Sequence, residues 1–530
     1  LLRRERLRDS SSPAMLSDMW SFVRSSLPIV VVQFCTLLFL TLTVMRVGSL
    51  LGTTALAGIS LGVLTFNLTG LTLIMAPMCA LDTKAPQAFG AGRHAEVGLS
   101  CQRALVCAIA ICIPASLVWW HAEVVLVGLG QTSDVARLAA RFLRWLLPAL
   151  PVQTGFEITR RFLYAQNVTW PPLVATLCGV LGHIGWHSIC VKWFGIEGAA
   201  LSLVFTYGTS LLVLVVIVAC RRPYHPSTMP RLFDRRLWQD RREWLSFIVL
   251  SGASLVNLSE WVFWEVVSFM IGHLGAKALA VQGMGYSLVP LVTMIPHGLS
   301  IGLSNGVGNL LGAGEVAKAR RLAQVACLFC LLVVLGYSAA VLLLATTITS
   351  LFTHQAAIST AAMPVWPLVS CDMVFDGMFM MLSGLCRGLG VQKRSAACVI
   401  VCLWCFGFPL QLFATHSVVE LWRNMIPTYA LLDASLLACA FCTSWTRLSA
   451  DMQQSTSLAC SEITCSSSYA DHDGRQGDPS SKAASPSRGS RCRGPATRVG
   501  PACDKPVDTE NVSNIDQPKE FQATFDVQAP

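Results

Sequence analysis

The chain has 530 residues, of which 53% are hydrophobic and only 13% charged, with a net charge of +9 and a mean hydropathy of +0.56. Soluble proteins carry about a quarter of their residues as charges, so this composition excludes a charge-coated soluble domain. The positive excess is spread over loops, where it sets membrane orientation and is no nucleic-acid footprint.

The N-terminal residues LLRRERLRDSSS are basic and polar, and the first apolar run follows them, which reads as no cleavable signal peptide. A spanning helix needs about 20 apolar residues. Twelve runs of that kind lie near 26–47, 55–80, 101–125, 139–159, 171–193, 199–220, 245–270, 277–300, 322–345, 361–384, 396–415 and 425–445. Lipid cannot satisfy a bare backbone, so the runs are expected to be helices. No long period-2 alternation suggests a membrane barrel.

With the N-terminus placed in the cytoplasm, 23 Lys and Arg fall on cytoplasmic segments and seven on the opposite side. That bias fits both termini inside and an even number of spans. After about residue 450 the chain turns rich in Ser, Asp, Gly, Pro and Lys, and reads as a disordered cytoplasmic tail. The 21 cysteines have no framework spacing, and most sit in apolar runs as packing residues. Cys402 and Cys405 form a CxxC inside VCLWCF, a poor setting for a metal or redox site.

The halves repeat. VGSLLGTTALAG (47–58) resembles IGHLGAKALAV (271–281), and QAFGAGRHAEVGLSCQRA (87–104) resembles NLLGAGEVAKARRLAQVA (309–326). RFLYAQ from Arg161 resembles RGLGVQ from Arg387, and the three matches share a separation of 222 to 226 residues. Internal repeats are a hallmark of transporter folds. Six spans per half is even, so the halves insert alike and are related by an axis along the membrane normal. Gly90, Gly92, Gly312 and Gly314 allow tight turns and close backbone approach. They lack the Lys–Ser/Thr of a phosphate-binding loop.

The expected fold is thus an all-α membrane protein of twelve transmembrane helices in two six-helix lobes. Residues 1–24 are a basic cytoplasmic segment and 25–220 the N-terminal lobe. Residues 221–243 form a basic cytoplasmic inter-lobe loop, 244–446 the C-terminal lobe and 447–530 the disordered tail.

Several segments resemble the eukaryotic branch of the multidrug and toxic compound extrusion (MATE) family. They are LDTKAPQAFGAG (81–92), RRFLYAQNVTWPP (160–172), FGIEGAALS (194–202), EWVFWE (260–265), GNLLGAG (308–314) and FDGMFMMLSGLCRGLGVQK (375–393). They follow the family order over roughly residues 25–446. The resemblance implies cation-coupled antiport of organic, often cationic, solutes by two lobes that alternate between inward and outward openings. Two departures stand out. An acid common in span 8 of some animal members falls at Ser287, and the Arg of the SVRVGN motif falls at Gly306.

Ionisable groups inside a span are costly and are kept for a reason. Glu157, Glu260, Glu265, Asp372, Asp376 and Asp433 fall within the runs, four of the six in spans 7 and 10. Glu265 has no Lys or Arg nearby in sequence, and a carboxyl poised there can take a proton from one side and release it to the other. Glu260 lies about 140° around the helix from Glu265 at 100° per residue, whereas Asp372 and Asp376 share a face. The resemblance maps Glu265 and Asp376 onto the family's acidic pair of the C-terminal lobe, and Glu260 onto the first acid of the same motif. Trp261, Phe263 and Trp264 surround these acids, and a cation held between an aromatic face and a carboxylate is attracted by both. Packing or lipid-facing aromatics are the alternative. The resemblance also places Gln33 and Asn67 on the cleft, where interhelical hydrogen bonding is an equal reading. His183, His187 and His297 can titrate near neutrality. Asn67-Leu-Thr69 spells a glycosylation sequon but lies within a span.

The substrate and proton site is therefore expected at Glu265, Asp376, Glu260, Gln33, Asn67, Trp261 and Trp264, with no cofactor, metal or enzymatic activity. The expected partners are a small organic substrate, H⁺ or Na⁺ as coupling ion and the lipid bilayer, around a monomer. The membrane is the plasma membrane or a vacuolar or endosomal one. A lipid-linked oligosaccharide flippase of related architecture is a further alternative; it calls for a cationic cleft, and few in-span Lys or Arg are visible to build one. A receptor or channel fits the two-lobe repeat less well.

Overall fold

A computed structural model describes residues 12–229, 234–353 and 355–454. The basic residues 1–11, part of the inter-lobe loop and most of the expected tail, 455–530, lie outside the described residues.

Among the described residues the chain is helical and has no strand. The spanning helices are α1 (Ser12–Leu51), α2 (Thr53–Gly90), α3 (His94–Trp120), α4 (Ser133–Leu146), α5 (Ala149–Ala165), α6 (Trp170–Phe194), α7 (Ile196–Arg221), α8 (Arg241–Ile271), α9 (Ala276–Gly312), α10 (Val316–Leu343), α11 (Trp366–Leu389), α12 (Gln392–Ala414) and α13 (Val418–Phe441). Eleven of these are long and apolar enough to cross a membrane by themselves. The twelfth crossing is made by α4 and α5 together. The run expected at 139–159 breaks at Leu147 and Pro148, because proline lacks the N–H that would continue the ladder.

Two lobes result. One core runs from Phe39 to Leu250, the other from Phe263 to Trp445. Each lobe borrows from the other. Phe22 of α1 packs into the second core, while Phe247 and Leu250 of α8 pack into the first. Ion pairs fix both exchanges: Asp18 to Arg321 at 2.5 Å and Lys84 to Glu243 at 2.9 Å. The lobes also meet through α1 and α9. A Cβ at Gly298 would lie 2.5 Å from the Val30 Cα, and one at Gly302 would lie 2.2 Å from the Ser26 hydroxyl.

α2 contains a π-helical stretch, Asn67–Leu71, and α12 another, Ile400–Gly407. Such bulges cluster at functional sites, and the first begins at Asn67. The matched glycine motifs divide their labour identically. Gly90 and Gly312 end α2 and α9, whereas Gly92 (φ +73°) and Gly314 (φ +84°) take the left-handed turn that follows. The expected tail begins in order, since residues 445–454 are helical. Ser449 there donates to the Leu311 carbonyl at 2.8 Å, and Arg320 stacks over Trp445.

Ser417 caps the start of α13. Ser417 Oγ accepts from the Glu420 N–H at 3.2 Å, and the Glu420 carboxylate accepts from the His416 N–H at 2.7 Å. Ser417→Ala is expected to cost about 1 kcal/mol, seen as a small fall in melting temperature with unchanged monodispersity.

Candidate functional site

A cavity of about 430 Å³ lies between the lobes, within the size range of small-molecule pockets. Its walls come from α1, α2 and α5 on one side and from α8, α9 and α11 on the other. Gln33, Asn67, Glu260, Trp261, Trp264, Glu265 and Asp376 all line it. The long EWVFWE segment reaches the cavity along a wide face of α8. Glu260 and Glu265 occupy its two edges despite their angular separation, and Phe263 turns away to pack on Trp404.

The second-lobe acids are not ion-paired: among the described residues, Glu260, Glu265 and Asp376 have no basic group within ion-pair distance. Glu260 is buried and accepts from the Tyr429 hydroxyl at 2.7 Å. Asp376 is buried with its Oδ1 unpartnered. Asp372 and Asp433 sit behind the cavity wall, and neither oxygen of Asp372 finds a donor. Burying polar atoms without a partner is expensive. Such oxygens are suited to holding a proton or waiting for one.

Trp264 stacks at a tilt against Trp422 and Tyr429 (5.5 and 6.2 Å between centroids), so it is partly a packing residue. Trp261 is edge-on to His297 at 6.3 Å, and His297 also lines the cavity. His183 and His187 do not line it. They bond Thr43, Thr206 and Ser202 inside the first lobe.

The first-lobe wall is an ion-pair network. Arg160 bonds Glu157 (2.8 Å) and donates to Gln33 Oε1 (2.7 Å). Arg161 bonds both Glu157 and Asp82, the latter at 3.1 Å. Gln33 therefore presents its amide carbonyl to an arginine and not freely to the cleft. The Asn67 Oδ1 is buried and unpartnered. Arg387 lines the cavity from α11. Arg160, Arg161 and Arg387 lie beyond the apolar runs expected at 139–159 and 361–384, which is why few in-span cations are visible in the sequence. The structure corrects this, because α5 runs on to Ala165 and α11 to Leu389. The RFLYAQ and RGLGVQ repeat carries the signal, because each matched segment begins with an arginine.

At one end the lobes are sealed. Gln87 donates to the Gly388 carbonyl (2.9 Å), Thr83 to that of Arg387 (2.9 Å), Gln392 to that of Cys79 (3.1 Å) and Asn309 to that of Ala165 (3.1 Å). Gln87, Ala165, Asn309, Arg387 and Gly388 lie near the C-terminal ends of α2, α5, α9 and α11, Gln392 opens α12, and Thr83 and Cys79 lie further back along α2.

The MatE family model matches residues 28–187 and 253–413, one segment in each lobe. The chain belongs to the MatE family. This MatE chain is 28% identical over 380 residues to multidrug and toxin extrusion protein 1 of Danio rerio, covering 70% of itself and 63% of that protein. It thus spans somewhat under two thirds of that relative's length. It is 28% identical to the Homo sapiens protein of the same name over 387 residues, covering 71% of itself and 66% of that protein. Among solved structures, the eukaryotic MATE transporter AtDTX14 superposes with a TM-score of 0.76 at 22% identity, over 83% of this chain and 99% of that one. The Vibrio cholerae MATE transporter VcmN in its bent form gives 0.71 at 17% identity, over 84% and 99%. These likenesses bear on the fold. They match the two-lobe, all-helical architecture.

Proposed function

We propose that this MatE protein is a secondary antiporter that exports organic, mainly cationic, solutes in exchange for protons by alternating access. The observation that carries it is the inter-lobe cavity walled on one side by three carboxyl groups, Glu260, Glu265 and Asp376, and by the aromatic faces of Trp261 and Trp264. A cation in that wall gains from carboxylate and ring alike. A proton on Glu265 or Asp376 removes the attraction, so solute and proton compete for one site. The names of the vertebrate relatives, which refer to multidrug and toxin extrusion, support the same reading. The glycine-lined end that is sealed in this conformation is the cytoplasmic one, both termini are cytoplasmic, and the protein works as a monomer in the plasma membrane or an acidic organelle. The lobes correspond to residues 25–220 and 244–446, joined by the basic segment 221–243.

Sodium in place of protons needs several oxygens around one carboxylate. The same experiment separates the two ions. Purified protein in proteoliposomes is given an outwardly or inwardly directed pH gradient, or a Na⁺ gradient, and uptake of a fluorescent organic cation is followed. Uptake driven by the pH gradient is expected, and Glu265→Gln is expected to lower it by about tenfold or more, the range of ordinary site-to-site coupling. Undiminished gradient-driven uptake in the variant removes Glu265 from the mechanism. Uptake driven by Na⁺ alone replaces the proton.

A further inference from the structure

The two halves of the chain carry equivalent arginines whose surroundings have diverged. In the repeat, Arg161 corresponds to Arg387, and the partners of Arg161 correspond to serines. Glu157, four residues before Arg161, matches Ser383, four residues before Arg387. Asp82 of LDTKAPQAFGAG matches Ser304 of LSNGVGNLLGAG. The first arginine is neutralised on the spot by two buried carboxylates. The second keeps its charge and loses both counter-charges.

The geometry agrees. Arg387 donates from Nη1 to Ser383 Oγ at 3.2 Å and from Nη2 to Ser300 Oγ at 2.9 Å, both neutral hydroxyls. Its Nε–H is buried and has no partner. Among the described residues no carboxylate lies within ion-pair distance of it, although it lines the inter-lobe cavity. Arg387 as a whole is only partly buried, so its guanidinium meets the cavity without a counter-ion. Its planar fork matches a carboxylate's two oxygens. The cavity thus holds one oriented and unneutralised positive charge, on the same second-lobe wall as the carboxyl groups and eleven residues along α11 from Asp376. A single such cation is no cradle for pyrophosphate, since the other two cavity arginines are already paired.

We propose that Arg387 is an anion subsite within the transport cavity, and that the substrates this protein handles best are zwitterions. Their basic end lies on the Glu260, Glu265 and Asp376 side and their carboxylate on Arg387. The proposal rests on the transport reading above and narrows its substrate class.

The test uses two probes that differ in one charge: a rhodamine with a free benzoate, a zwitterion, and the methyl ester of the same dye, a cation. Both are titrated by fluorescence anisotropy into the full-length protein in nanodiscs. A charge-assisted hydrogen bond to a carboxylate should favour the zwitterion by about tenfold over the ester. Arg387→Gln should collapse that ratio toward one, and Arg387→Lys, which keeps the charge but not the fork, should restore part of it. Melting curves of both variants report folding separately, and the wild-type ratio tests the idea without any variant. Equal affinity of the wild type for both dyes, or a ratio that survives in Arg387→Gln, overturns the anion subsite. If the ester binds but neither dye is moved by a pH or Na⁺ gradient in proteoliposomes, the transport reading fails while the anion subsite is judged on its binding ratio alone.

Discussion

Gly90→Val should force the sealed end of the molecule apart and arrest transport. A Cβ at Gly90 would lie 2.0 Å from the Asn309 carbonyl oxygen and 2.7 Å from its carbon. The symmetry-related contact is just as tight, with a Cβ at Gly312 lying 2.4 Å from the Gln87 carbonyl. Both obstacles are backbone, which cannot rotate aside as a side chain can. Overpacking of this kind costs about 1–3 kcal/mol, and at 1.4 kcal/mol per factor of ten the sealed conformation loses about five- to a hundredfold in population. The lobes are rigid packed bodies, so the cheapest relief is separation, which also breaks the Gln87, Thr83 and Gln392 bonds across the seam.

Hydrogen–deuterium exchange reads this directly. Exchange over residues 79–92 and 304–314 should rise in Gly90→Val, and gradient-driven uptake should fall. Gly92→Val is the control. It has nothing within 4 Å and a φ of +73°, so it should cost about 1–2 kcal/mol of backbone strain without parting the lobes. Unchanged exchange at the seam in Gly90→Val would show that the glycine pair is not a closure contact.

Much of this architecture is written in the chain. Apolar runs of membrane length leave the backbone no alternative to helices, so their existence and order are legible, and so are the repeat and the acid-bearing segment from Glu260 to Glu265. What the sequence hides are relations across long separations. Glu260 is held by Tyr429, and Arg161 by Asp82. Neither partner is marked by local pattern. Arg160, Arg161 and Arg387 resemble ordinary flanking charges, because hydropathy counts any charge near the end of an apolar run as a helix end. The exchange of Phe22 and Leu250 between lobe cores is invisible for the same reason. The start of the tail misleads in the opposite direction. Its serines suggest disorder, yet Ser449 is buried against the end of α9.

The largest loss of stability is expected at Arg161. Arg161→Ala leaves Asp82, 3% exposed, without its basic partner, and takes from Glu157, 1% exposed, one of its two arginines. Breaking one side of a buried ion pair costs about 3–5 kcal/mol, because the remaining charge cannot regain its water. The equivalent deletion in the other lobe should behave differently. Arg387→Ala strands only the hydroxyls of Ser383 and Ser300, and Ser300 already donates to the His297 carbonyl at 2.7 Å. Lost neutral partners of this kind cost about 1 kcal/mol each. Thermal unfolding of the two variants, followed as loss of monodisperse protein on heating, should therefore separate clearly, with Arg161→Ala much the weaker. Pairing Arg161→Met with Asp82→Asn should recover most of the loss, since Glu157 keeps Arg160 and no unpaired charge is left. Equal losses from the two single deletions would mean that the carboxylates around Arg161 are not what separates the halves, and that the charge on Arg387 is balanced by something other than a ligand.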